Sequence, residues 1–156
     1  MVFVVLAALG LTLGIVHVAV QKQPRTKQRI ADGLLLYLFV FPIGLGGIIG
    51  FIGHTWRAAS VAASIGWPAS NPFQYEVAVA NLAFGVLGLL CLRFRGSFWA
   101  AIAIGWSVFM LGAAGVHLHQ IHIGQPFAPD NAGAILYFDI LVPLFVLGLI
   151  ATRNAI

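Results

Sequence analysis

Five long apolar runs separated by short polar connections set the pattern of this chain. The first, residues 2–20 (VFVVLAALGLTLGIVHVAV), has the length that crosses a hydrocarbon core of ~30 Å. It starts without a positive leader and is followed by QKQPRTKQR, not by a small-residue cleavage site. It therefore reads as a retained helix rather than a signal peptide. The second run, residues 31–53, contains Pro42, which removes a backbone donor and predicts a kink near Phe41. In the same run Gly46, Gly50 and Gly53 recur at spacings of four and three, which predicts a close helix–helix face. Further runs cover residues 73–92, 97–118 and 132–152, the last with Pro143 inside it. The connection RAASVAASIG has helix-forming small residues without a strong apolar face, and predicts a short helix over the mouth of the bundle. The expected fold is all-α: one transmembrane domain, residues 1–156, with five membrane helices and a short interfacial helix between the second and third.

Composition agrees with that pattern. The chain is 61% hydrophobic and 8% charged, with a mean hydropathy of +1.01, too little polar surface to cover a soluble globule. A pI near 9.9 invites a nucleic-acid reading. The eight basic residues are scattered over short connections, however, and form no basic face, so nucleic acid is not an expected partner. They act instead as orientation signals. With the N-terminus outside, Lys22, Arg25, Lys27, Arg29, Arg93, Arg95 and Arg153 all face the cytoplasm and only Arg57 does not. This predicts an inner (cytoplasmic) membrane protein with a cytoplasmic C-terminus. Residues 53–73 and 119–131 then lie together on the outer face. The single cysteine, Cys91, sits in an apolar run with no partner in the chain and reads as a small core residue.

The polar residues that could carry chemistry gather at that outer end. Glu76, the only glutamate, lies in the first turn of the third helix, where it suits the helix N-terminus. Asn81 follows deeper, and Asp139 lies about two turns into the fifth helix, roughly 10 Å at ~1.5 Å per residue. A carboxyl at such depth turns to a partner or a cavity; Tyr137, a histidine and backbone groups freed by Pro143 are the candidates. His54 ends the second helix, and His117, His119 and His122 (VHLHQIHIG) end the fourth, with His119 and His122 sharing a face. His54, Glu76, His117, His119 and His122 are the residue types that ligate a transition metal, or a haem through a histidine. Hydrogen-bonded structural histidines are the competing reading. His17, near the other end of the first helix, reads as structural. Arg57 either binds an anionic group or pairs with Glu76 or Asp130. Ser60, Ser64 and Ser70 lack the strand–turn–helix elbow of a GxSxG nucleophile. In the turns, Pro68 and Pro72 shape WPASNPF, Trp67 suits the interfacial belt, and Asp130 or Asn131 can cap the fifth helix.

Four segments carry a family resemblance: GFIGHTW (residues 50–56), AASIGWPASNPFQYEVAVANLAFGVLG (62–88), GVHLHQ (115–120) and FAPDNAGAILYFDILVP (127–143). Together they resemble a family of small bacterial integral membrane proteins classed only as a domain of unknown function. The resemblance implies a multi-helix membrane protein without bringing an activity, and carries over His54, Glu76, Asn81, His117, Asn131 and Asp139 as a polar cluster. Three functions compete. A non-catalytic accessory subunit or ligand-binding module would use His54, Arg57, Glu76, Asn81, His117, Asn131 and Asp139 around an outer pocket, alone, as a homo-oligomer or within a larger membrane complex. A metal- or haem-binding redox protein would rely on His54, His117 and Glu76. A proton-coupled transporter or channel would rely on Asp139 and Glu76, although no inverted repeat or through-route is visible.

Overall fold

The computed structural model describes residues 1–68, 71–124 and 128–154. All regular structure among them is helical. Five helices are long and apolar enough to cross a membrane: Val2–Val20, Lys27–Trp56, Phe73–Leu90, Ser97–His122 and Pro129–Arg153. We label the helices α1 (Val2–Val20), α2 (Lys27–Trp56), α3 (Ala58–Ile65), α4 (Phe73–Leu90), α5 (Ser97–His122), α6 (Pro129–Ala132) and α7 (Ala134–Asn154).

The boundaries depart from the apolar runs where capping outweighs hydropathy. Helix α2 starts at Lys27, about a turn before its run, because the Thr26 hydroxyl accepts from the Arg29 amide at 3.3 Å. Helix α5 continues four residues past its apolar run to His122, so all three histidines lie on the helix they were expected to end. The fifth run breaks at Gly133, where a side chain would collide with the Pro129 carbonyl. The four-residue α6 precedes that break. The predicted short helix is present as α3, ended by Gly66 in the left-handed conformation, φ +84°. Of the predicted turns, Ala69 and Ser70 in WPASNPF and Pro126 and Phe127 in PFAPDNAG lie outside the described residues.

Pro42 acts as expected in kind. Around it α2 adopts a π segment, Phe39–Leu45, which accommodates the missing amide by widening the helix. The glycine face beyond it differs from the predicted one by one position, Gly47 in place of Gly46. The backbone contact with α4 runs through Gly44 and Gly47 against Gly85 and Gly88, not through Gly46, Gly50 and Gly53. A Cβ on Gly47 would lie 2.5 Å from the Asn81 carbonyl oxygen and 2.6 Å from the Gly85 nitrogen. Gly46 faces Phe3 of α1 instead, and Gly53 faces Val61 of α3.

Helix α2 is the centre of the bundle. Its first half packs on α7, its second half on α4, and α1 runs along it. Helices α5 and α7 form a second close pair. Helices α4 and α5 are consecutive and joined by a tight turn, yet they barely touch. The two groups are therefore held together at the end bearing Arg93, Arg95 and Arg153 and separate toward the end bearing His117. Helices α3 and α6 pack on each other above that opening.

Candidate functional site

The separation leaves a chamber of about 570 Å³ between the groups. Its floor and walls come from Pro42, Gly46 and Gly47 of α2, Asn81 of α4, Trp106 of α5 and Phe138 of α7, with Ile65 and Trp67 above. Nearly all of this lining is apolar. The polar exceptions are Asn81, His117 and Asp139.

His117 and Asp139 reach the chamber for the same reason: each falls on the buried stripe of its helix. His117 continues the line of Ala103, Trp106 and Ala114, and Asp139 lies beside Phe138 and Leu136. One His117 nitrogen, Nδ1, is hydrogen-bonded to Asn131 Oδ1. The other, Nε2, lies 3.6 Å from Asp139 Oδ2, ion-pair range for a protonated ring but too long for a good hydrogen bond. Asn131 is 1% exposed and Asp139 3% exposed. The second carboxyl oxygen, Asp139 Oδ1, is buried and has no hydrogen-bond partner among the described residues. With Nδ1 donating to Asn131, the ring keeps one proton position free toward Asp139. With the Asn131 amide turned over, Nε2 becomes the donor. Either way both imidazole nitrogens are directed at protein groups.

A second cavity of about 400 Å³ lies on the other side of His117. His54, Arg57, Ser60, Ser64 and Asp130 line it, and His117, Phe3, Ile65 and Ile135 are common to both spaces. His54 stands 6.1 Å from the Trp67 ring, and its Nδ1 is buried without a partner among the described residues. Asn81 donates from Nδ2 to the Val77 carbonyl at 2.9 Å, which turns its Oδ1 toward Gly50.

A sequence profile described as a family of unknown function, DUF6790, matches residues 1–155. The chain belongs to this family. No curated protein and no solved structure matches it.

Within this DUF6790 chain the predicted polar residues divide. His117, Asn131, Asp139 and Asn81 meet at the chamber, while His54 and Arg57 meet at the second cavity. Glu76 joins neither. It is exposed, two positions (about 200° of helix) from the buried Gln74, and so on the opposite face of α4. Nor does it cap its helix by side chain: Asn71 Oδ1 accepts from the Phe73 amide there, at 3.0 Å. His119 is exposed for the same reason of phase relative to His117, and His122 is exposed as well. The five residues named as metal ligands are consequently dispersed. Among the described residues no three His, Cys, Asp or Glu side chains are grouped to hold an ion. The described Arg57 forms no ion pair with Glu76 or Asp130, and Asn131 bonds to His117 instead of capping a helix. Tyr137 is exposed; the partner of Asp139 is the histidine. His17 pairs with Gln21 at 2.7 Å and with the Tyr37 hydroxyl at 3.3 Å, far from the site.

Two residues gain a part that hydropathy did not give them. Trp67, expected at the lipid interface, turns over the chamber, while Trp56 is the exposed one. Gln74, fully buried, donates from Nε2 to the Ala58 carbonyl at 2.7 Å and so ties the covering helix α3 to α4. Its signal was present: Gln74 starts the buried line Ala78, Gly85, Gly88 at helical spacing.

Proposed function

We propose that this DUF6790 protein is a membrane-embedded binding module that holds a small molecule in the chamber beneath α3. The observation that carries the reading is Asp139: a buried carboxyl with one oxygen unpartnered, set in the wall of an otherwise apolar space. Burying an acid at this depth costs roughly 2.5 kcal/mol or more. An unsatisfied buried acceptor costs about 1–3 kcal/mol beyond that. A bound donor recovers the second cost. The imidazole of His117 orients the carboxyl, and Asn131 orients the imidazole. We further read the histidine end as the outward face of a bacterial cytoplasmic membrane, because seven of the eight basic residues lie at the other end.

The test is extraction. Protein purified in a mild detergent is compared with an Ala113→Phe variant, in which a wall residue is enlarged into the chamber. Solvent extracts of the two are analysed by mass spectrometry. A compound present in stoichiometric amount with the parent protein and depleted with the variant is expected. Indistinguishable extracts would defeat the binding reading.

A further inference from the structure

The chamber differs from a soluble protein's pocket in where it opens. Its seam lies between α4 and α5, the consecutive pair that scarcely touch. At mid-height the seam is closed by the Phe84 and Phe109 rings, 5.5 Å apart, with Gly105 under Phe84. Toward the histidine end the facing residues are Val77 and Asn81 on one side, and Gly112, Ala113 and Val116 on the other. Gly112 leaves open space, for a Cβ there would meet nothing within 4 Å. Val116 lines the chamber and is itself 50% exposed. Gly112 stands ten residues, roughly 15 Å, before the end of α5 at His122, the depth of the hydrocarbon for a helix that crosses a bilayer. At the far wall of this apolar passage stands Asp139, with its unpartnered oxygen.

We infer that the chamber takes an amphipathic molecule directly from the bilayer through the α4–α5 seam. The apolar body lies between the two helix groups, and the head group, an alcohol or an ammonium, donates a hydrogen bond to Asp139 Oδ1. This rests on the binding reading above and specifies its ligand class. The apolar walls exclude a sugar or nucleotide, which would strand many polar groups away from water. The lone acceptor excludes a purely apolar occupant as the best fit, since that occupant leaves Oδ1 unsatisfied. Access from lipid also gives Gly112 a purpose: the smallest residue stands at the mouth.

Trp67 and Trp106 line the chamber and report on it. In lipid nanodiscs, on a Trp56→Phe background to remove the exposed indole, fluorescence is titrated with 11-bromoundecan-1-ol, with 11-bromoundecylamine, and with the methyl ether of the alcohol. Saturable quenching by the alcohol or the amine is expected, with the ether at least tenfold weaker. Whichever of the two binds more tightly identifies the head group. Asp139→Leu should reduce the better ligand to the affinity of the ether. Asp139→Asn, which keeps an acceptor without the charge, should spare the alcohol and weaken the amine. Gly112→Phe should slow the approach to saturation at least fivefold. Equal saturable binding of all three probes would overturn the head-group assignment and leave an acyl-chain site, with the binding reading intact. Non-saturable quenching that is the same in the parent and Asp139→Leu overturns the inference altogether. If the extraction experiment still yields a compound in that case, a ligand of another class is bound.

Discussion

At the residue scale the informative unit is His117 with its two partners. His117 sits between Asn131 and Asp139, so truncating it strands two buried polar side chains at once. His117→Ala should lower the unfolding free energy by about 1–3 kcal/mol, measured by sodium dodecyl sulfate titration in mixed micelles. His119→Ala and Glu76→Ala, both exposed, should stay within about 0.5 kcal/mol of the parent. Adding Asp139→Leu to His117→Ala should cost less than the two single changes together, because the second change removes a group already orphaned. Equal losses from His117→Ala and His119→Ala would mean the triad is not a unit. Part of this was legible. The depth of Asp139 and the gathering of polar groups at one end follow from the chain alone. Which histidine of HxHxxH turns inward depends on the phase of α5, and the line Ala103, Trp106, Ala114, His117 decides it. Glu76 stands at the same end of the bundle, yet helix phase puts it on the outer face of α4, away from the cluster.

The element scale is governed by the α2–α4 crossing. Lipid supplies no hydrophobic drive between helices, so close approach of backbones and their dispersion contacts must hold this pair. Gly47, Gly85 and Gly88 each meet backbone atoms of the facing helix within 3 Å of a would-be Cβ, and backbone cannot swing aside as a side chain can. Gly47→Ala should therefore destabilise by about 1–3 kcal/mol through overpacking. Gly148→Ala on α7, where the added carbon meets nothing within 4 Å, should be neutral or stabilising by up to about 1 kcal/mol. Thermal unfolding in detergent decides it, and a tolerated Gly47→Ala would show that the helices stand further apart. The sequence announced a glycine face on this helix but not the right one. Gly44, Gly47 and Gly50 recur at threes as well, and adjacent Gly46 and Gly47 stand about 100° apart on the helix. Hydropathy does not choose between these two neighbouring lines; packing against Gly85 and Gly88 does.

At the scale of the whole molecule, the chamber exists because one end of the bundle is tied and the other is not. Trp99 is the tie. Fully buried, it donates from Nε1 to the Cys91 carbonyl at 3.0 Å and packs on Phe39 with 5.1 Å between ring centroids. The guanidinium groups of Arg95 and Arg153 lie 4.6 Å and 5.6 Å from its ring centroid. Arg153 in turn donates from Nε to Asp32 Oδ1 at 2.6 Å. These contacts join α2, the α4–α5 turn, α5 and α7, and among the described residues nothing comparable bridges α4 and α5 near His117. The role of Asp32 is not legible in the sequence, where a carboxyl next to the basic cluster Lys27–Arg29 points to no distant partner. Its partner is more than a hundred residues away. Trp99→Ala should cost about 3–5 kcal/mol, the usual range for deleting a buried aromatic. Asp32→Asn should cost about 1 kcal/mol, since the pair is only partly buried and solvent screens it. Ala113→Phe, at the open end, should cost little, because the added ring enters existing space instead of displacing neighbours. If Ala113→Phe proved as damaging as Trp99→Ala in the same unfolding assay, the two ends would belong to one tightly packed unit, and the chamber would have no room for a ligand.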